Sequence, residues 1–389
     1  MMRYGMCEAF MRFRAVVILL SLLFCLRLSA YGHNLPDSVS LDDLKRRVAG
    51  LLIVGFKGTE IDSDSEVAYN LARLGVGGVI LFDEDLTAGG KGKRNVESPE
   101  QLKKLVADLK RCAGSRKILV CVDQEGGKVN RLKPEYGFPP TVSAMRLGQL
   151  DNLDSTYHYA YNLASVLKDC GINFNLAPCV DVNVNDSCPV IALKERSFSA
   201  EPDKVTEHAE TYIKAHHDNG IITAIKHFPG HGSSAGDSHV GFTDVTGTWS
   251  AKELVPFKKL LSSGAADVVM TAHVFNAEID DAYPATLSAQ TMDGLLRQQL
   301  GWRGVVLTDD IFMDAIMKNY SVEQAFELAL NAGIDMFMLG NNSPSGYKDG
   351  CAKLVVDTIV QLVLDGKVRY DRILEASERV AALVGRATR

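Results

Sequence analysis

The sequence has no extended basic block beyond its N-terminus, and its formal net charge is −6. Phosphate recognition needs a basic face, so this balance argues against a nucleic-acid partner. The eight cysteines include no C-x-x-C pair and no dense framework, which does not suit a disulfide-stapled domain. Cys121 reads as a buried thiol inside an apolar run, and only a Cys179–Cys188 pair is conceivable among the rest. No G-x-G-x-x-G follows the first strand-like run, so nothing supports dinucleotide binding and no cofactor is expected. The apolar stretch AVVILLSLLFCL at 15–26 is short for a membrane span. Past residue 40 there is no domain linker, repeat or low-complexity segment.

What is present begins with a leader. Arg3, Arg12 and Arg14 precede the apolar stretch, and small residues follow near Ala30. This is the order of an export signal, and 1–30 is expected to be a signal peptide or an uncleaved anchor, with 31–40 as a linker. The expected location is therefore exported or inner-membrane-anchored on the periplasmic side, where an anchor would give membrane association. Translation starting downstream of the leader would instead give a cytoplasmic protein.

The remainder, 41–389, has ordinary globular composition, with 46% apolar and 23% charged residues over the whole chain. Eight short apolar runs recur: GLLIVGF (50–56), VGGVILF (76–82), KILVCVD (117–123), INFNLAPCVDV (172–182), IITAIKHF (221–228), ADVVMTAHVF (266–275), GVVLTDD (304–310) and IDMFMLG (334–340). Continuous apolar runs suit strands buried on both faces, as in parallel sheets. Between them lie helical patterns with legible ends: Ser98-Pro99-Glu100 opens one, Asn219-Gly220 closes another, and Ser321 and Gly333 bracket a third. Strand and helix alternating eight times predict a single-domain (β/α)8 TIM-type barrel, with an open doubly wound sheet as the alternative. GGKGKRN (89–95) reads as a polar, mobile loop.

In such a barrel the active site lies at the C-terminal ends of the strands. Polar residues gather there: DQEGGKVNR after the third run, DVNVND after the fourth, KHFPGHGSSAGDSH at the fifth, His273 in the sixth and Asp309-Asp310 in the seventh. Successive strand residues face opposite sides, so one of Asp309 and Asp310 should enter the barrel mouth. A carboxylate there could act as nucleophile, base or metal ligand. The histidines of 226–239 admit a metal-dependent hydrolase built from His227, His231 and His239 with Asp123 and Asp309. Pro229 and Gly230 interrupt the helix that HxxxH ligation would use. Sugar chemistry is the other reading. Retaining glycoside hydrolysis needs a carboxylate nucleophile and a proton donor beside the leaving oxygen, and Asp237-Ser238-His239 could supply the donor from a loop that Gly230, Gly232 and Gly236 are expected to make bendable. Glu125 reads as a salt bridge behind the site and His273 as a buried structural group. His231 reads as either a loop cap or a sugar contact, and His216 and His217 as surface residues.

These segments resemble a known family. KHFPGHG with DSH and TDDIFM, DQEGGKVNRL, LAPCVDVN and PVIALKERSF are together similar to the single-domain bacterial β-N-acetylhexosaminidases of glycoside hydrolase family 3, over roughly residues 45–385. The resemblance implies a retaining exo-β-N-acetylglucosaminidase acting through a covalent glycosyl-aspartate, with no metal and no cofactor. Its substrate would carry a terminal β-linked N-acetylglucosamine, from cell-wall peptidoglycan fragments. Carried over, Asp309 matches the nucleophile, His239 the acid/base and Asp237 its partner. Asp123, Arg131, Arg196, Lys226 and His227 match residues that hold the sugar hydroxyls. The alternative within the same barrel family is a β-glucosidase-like enzyme. Those draw their acid/base from a second domain, for which 341–389 leaves no room. The sequence departs from the family pattern in PVIALKERSF, which is two residues longer before Arg196 and lacks a glycine. This bears directly on where Arg196 lies.

Overall fold

The computed structural model describes residues 35–387, apart from 37, 91, 238–240 and 345. The leader and His239 therefore lie outside the described residues.

Eight parallel strands close into a barrel in sequence order. They are β1 (Leu52–Gly55), β2 (Gly78–Leu81), β3 (Leu119–Val122), β4 (Phe174–Asn175), β5 (Ile222–Phe228), β6 (Val268–Thr271), β7 (Val305–Asp310) and β8 (Met336–Leu339). Each falls inside one of the eight apolar runs. Closure is made by β1, which pairs Ile53 with Gly78 of β2 and Leu52 with Phe337 of β8. The strands are buried on both faces because helices pack outside them. Burying each Val, Leu or Ile side chain contributes about 1.5–3 kcal/mol.

The helices begin and end where their caps dictate. Ser98 accepts from the Gln101 amide ahead of Pro99–Cys112. Ser321 and Gln324 form a capping box at the start of Val322–Ala332, which Gly333 closes at φ 112°.

Two runs depart from plain strands. Residues 172–182 form a regular strand only at Phe174–Asn175, although the Leu176 amide still meets Val122 O at 2.9 Å and Ala177 O accepts the Ala224 amide at 3.1 Å. The chain still follows β5, with the Val180 amide on Lys226 O at 2.8 Å. The run 266–275 leaves the barrel after Thr271, and Val274–Phe275 pairs instead with Thr243–Asp244. The supposed mobile loop 89–95 is anchored at its end. Arg94 is buried, donating to Asn341 O at 2.7 Å and pairing with Asp85 at 3.0 Å.

The end of the barrel away from the polar loops is tied by Asp335, which is fully buried. Its carboxylate receives Arg297 at 2.6 Å, Arg372 at 2.5 Å, Arg379 at 2.9 Å and the Val306 amide at 2.9 Å. It thus ties the closing helix Tyr370–Ala387 to β7 and β8. Among the described residues, no helix is long and apolar enough to cross a membrane. Removing the acceptor would strand buried guanidinium groups. Asp335→Ala is therefore expected to lower unfolding free energy by about 3–5 kcal/mol, read from urea denaturation midpoints.

Candidate active site

Asp123 directly follows β3, Asp181 ends the irregular chain after β4, Lys226 and His227 lie within β5, and Asp309 lies in β7. All are at C-terminal strand ends, so the closed barrel turns residues from four separate stretches of the sequence toward one mouth. Asp123, Arg131, Arg196, Lys226, His227, Asp237 and Asp309 line a single cavity of about 330 Å³. Seven of the eight residues singled out in the sequence are thereby brought together; the eighth, His239, is outside the described residues.

The floor of the cavity is a charge network. Lys226, nearly fully buried, sets its Nζ 2.8 Å from Asp123 Oδ1 and 2.7 Å from Glu125 Oε1. Arg196 grips the other side of Glu125 as a fork, with Nε 2.9 Å from Oε2 and Nη2 2.7 Å from Oε1. Burial would raise the Glu125 carboxyl, but Arg196 and Lys226 outweigh it and hold the group down at about 2. Burial likewise works against charge on Lys226, and Asp123 and Glu125 reverse the effect and raise its pKa. Glu125 is therefore the salt bridge behind the site that its sequence context suggested. Arg131 is held more loosely, 3.5 Å from Asp83 and 3.9 Å from Asp123.

The loop before Arg196 brings it into the cavity lining. The extra residues are taken up in a tight turn, with the Leu193 amide on Cys188 O at 3.0 Å, Glu195 at φ 58° and the Arg196 amide back on Ile191 O at 3.0 Å. Arg196 Nη2 then lies 2.9 Å from His227 Nε2. A guanidinium can only donate, so Nε2 accepts and the Nδ1–H donates to Asp181 Oδ2 at 2.6 Å.

Sequence reasoning passed over Asp181, although it follows a strand as Asp123 does. It is fully buried and accepts the His227 imidazole, the His227 amide, the His231 amide at 2.7 Å and the Cys179 thiol at 3.1 Å. Burial opposes its charge, and the His227 contact outweighs it, so its pKa is lowered. The donor atoms of Cys179, Asp181 and His227 lie within 4.8 Å of one another and are of metal-binding type. As placed, however, both ring nitrogens of His227 are engaged in hydrogen bonds. His231, a second ring of the suggested metal set, hydrogen-bonds Ser234 through Nδ1 at 2.7 Å and is buried, which pushes its pKa down to about 4.

Of the two adjacent carboxylates in β7, Asp309 lines this cavity. Asp310 lies against Gly340, just past β8, where a Cβ would come within 2.4 Å of its Oδ2, and it lines an adjoining chamber together with Asp309. A second chamber of about 630 Å³ shares Asp123, Arg131, Met270 and Asp309 with the first and is walled by Phe82, Phe312 and Met338. His273 is structural as expected, held between Thr286 at 2.8 Å and Asp310 O at 3.0 Å. His216 is not a surface residue: it is fully buried, on Asn175 at 3.0 Å and Tyr212 O at 2.9 Å. Cys179 and Cys188 are both free thiols.

The glycines of the fifth loop also differ from expectation. A Cβ on Gly232 would sit 1.8 Å from Val182 O, and one on Gly230, at φ 122°, would sit 2.5 Å from Glu253 Cβ. Both are required by close packing, and only Gly236 has room around it.

A model of the Glycosyl hydrolase family 3 N terminal domain matches residues 43–383. A β-hexosaminidase of Nitrosomonas eutropha is 33% identical over 307 residues, covering 76% of this chain and 82% of that protein. One from Xylella fastidiosa strain M23 is 35% identical over 296 residues, covering 74% and 83%. Among solved structures, a family 3 β-N-acetylglucosaminidase from Paenibacillus sp. FPU-7 superposes with a TM-score of 0.79 at 32% identity over 88% of this chain. This chain spans 62% of that structure's length. A β-N-acetylhexosaminidase from Beutenbergia cavernae gives 0.78 at 26% identity, covering 90% of this chain and all 100% of the other.

Asp181→Ala would leave several buried donors without an acceptor. It is expected to cost about 2–5 kcal/mol of stability, measured by denaturant unfolding, at roughly 1–3 kcal/mol per stranded group. Glu125 gives a pH test. Its folded pKa, about 2, lies below the ordinary value of 4.5. Its contribution is therefore fully present above pH 4.5 and is lost as pH falls toward 2, on the order of 3 kcal/mol. Stability measured against pH should show this acid-side slope, and Glu125→Gln should flatten it while lowering stability at neutral pH.

Proposed function

The chain belongs to glycosyl hydrolase family 3, and from that premise we propose that it is a retaining exo-β-N-acetylhexosaminidase that removes terminal β-linked N-acetylglucosamine. The observation that carries this reading is one cavity faced by Asp309 from β7 and by Asp237 from the fifth loop, over the Lys226–Asp123–Glu125–Arg196 network. A nucleophile and a proton-transfer group must approach the glycosidic bond from different sides, and two elements on one pocket supply that.

In this reading the Asp309 carboxylate attacks the anomeric carbon as the glycosidic C–O bond breaks. The leaving oxygen takes a proton from His239, whose basicity and orientation Asp237 sets. Water then gives a proton back to His239 and displaces Asp309 from the sugar. Lys226, Arg131 and Arg196 donate to the sugar hydroxyls, and Asp123 accepts from them. His227 keeps Nε2 as an acceptor because Asp181 holds the opposite nitrogen. The network is held together by its own ion pairs, which lowers the cost of ordering these groups on binding.

We infer peptidoglycan fragments as the substrate source, and an exported or membrane-anchored location from the basic-then-apolar leader. Both rest on the sequence pattern and the family resemblance.

Asp309→Ala is expected to abolish turnover of an aryl β-N-acetylglucosaminide, and a slow 2-fluoro sugar donor should add one glycosyl mass to the wild-type protein at Asp309. An unmodified intact mass with inverted product would defeat the mechanism. His239→Ala should slow substrates with poor leaving groups much more than activated aryl ones; equal losses would remove its acid role.

A further inference from the structure

The loop between β5 and the Thr243–Asp244 strand begins with a turn that is held from three directions. Asp181 takes the His231 amide at 2.7 Å. Trp249 donates its indole N–H to Pro229 O at 3.1 Å. From below, Glu253 accepts the Gly232 amide at 2.9 Å and the Ser233 amide at 3.3 Å on Oε2. Glu253 is fully buried, and its other oxygen faces the Ser250 amide at 3.4 Å within a capping box. The bare backbone of Gly230 lies directly against it. Nothing in the reaction described above uses this carboxylate.

A buried carboxyl is costly unless it is satisfied. Burial and the nearby charge of Asp181 push Glu253 up to about 7, against the opposing hydrogen bonds of Ser233, Ser250 and Gly232. Those hydrogen bonds tie it to the root of the loop that carries Asp237 into the cavity. The next glycine, Gly236, would meet only the Thr243 side chain, at 3.5 Å, if it bore a Cβ. The direction in which the loop leaves the barrel is therefore set at 230–233.

We propose that Glu253 is a positioning residue for proton transfer: its carboxylate fixes the root of the loop, so that Asp237 and the histidine two residues on reach the glycosidic oxygen. The proposal rests on the reading that Asp237 and His239 handle the proton. A side chain that only stabilised the fold would affect all substrates alike. A side chain that aims the proton donor should matter in proportion to how much help the leaving group needs.

The test uses the full chain with Glu253→Gln and Glu253→Ala, an aryl β-N-acetylglucosaminide series of graded leaving-group acidity, and azide as an added nucleophile. Gln keeps the shape, but its NH2 must face either the Ser250 amide or the Gly232 and Ser233 amides, so it sets donor against donor in the clamp while leaving the core filled. Expected are losses in kcat/KM of about tenfold or more on poor leaving groups for Ala, and less for Gln, with little loss on the most activated substrate. Azide, which needs no proton removed, should accelerate turnover of the activated substrate and yield glycosyl azide. His239→Ala is run in parallel. If it shows azide rescue while the Glu253 variants lose activity uniformly and without rescue, the proposal is overturned. If His239→Ala itself lacks leaving-group dependence and rescue, the reading of the Asp237–His239 pair fails instead. Should Glu253→Ala not fold, Glu253→Gln decides alone: wild-type behaviour or a uniform loss overturns the proposal, and a graded, azide-rescued loss supports it.

Discussion

One buried carboxylate organises the mouth of this barrel. Asp181 draws together an imidazole, two backbone amides and a thiol, from β5, from the loop after it and from its own segment. The energetic logic is unforgiving. A buried anion without donors costs several kcal/mol, whereas one met by several short hydrogen bonds becomes a rigid joint. Because the joint fixes His227 through Nδ1, Nε2 is left to meet Arg196, which in turn reaches Glu125 and, through it, Lys226. The geometry of the sugar pocket is thus a chain of constraints that starts at a residue outside the cavity lining.

The family and the geometry account for each other. A β-hexosaminidase of this kind must grip hydroxyl groups, present one carboxylate to the anomeric carbon and bring a proton donor over the opposite side. In the proposed reading, the barrel provides the first two from strand ends, where positions are set by closure, and the third comes from a loop whose root is clamped. Rigid strand ends suit the groups that must hold still. A loop suits the group that exchanges a proton with both the leaving group and water.

Much of this was legible in the sequence, because the strands are apolar runs and the barrel forces polar strand ends to one mouth. Period-two alternation marked Asp309 and Asp310 as a pair of which one faces the mouth, and Asp123, Lys226 and His227 stand out after apolar segments; the choice of Asp309 and the roles of the others came from the family resemblance. Asp181 and Glu253 were not, because their importance lies in which amides they meet across the fold, and a single chain does not display those pairings. The glycines misled for a related reason. Gly230 and Gly232 look like flexibility in one dimension, and in three they are the gaps into which Glu253 and Val182 fit.

The two ends of the barrel invite a last comparison. At one end Asp335 is gripped by three arginines, with separations of 2.5–2.9 Å. At the other, Arg131 stands 3.5 Å and 3.9 Å from its two carboxylates. Charge density alone would mark both places equally. What separates fastening from recognition here is slack: the arginines on Asp335 close on a buried acceptor outside the cavity, whereas Arg131, kept at arm's length within it, can change hands.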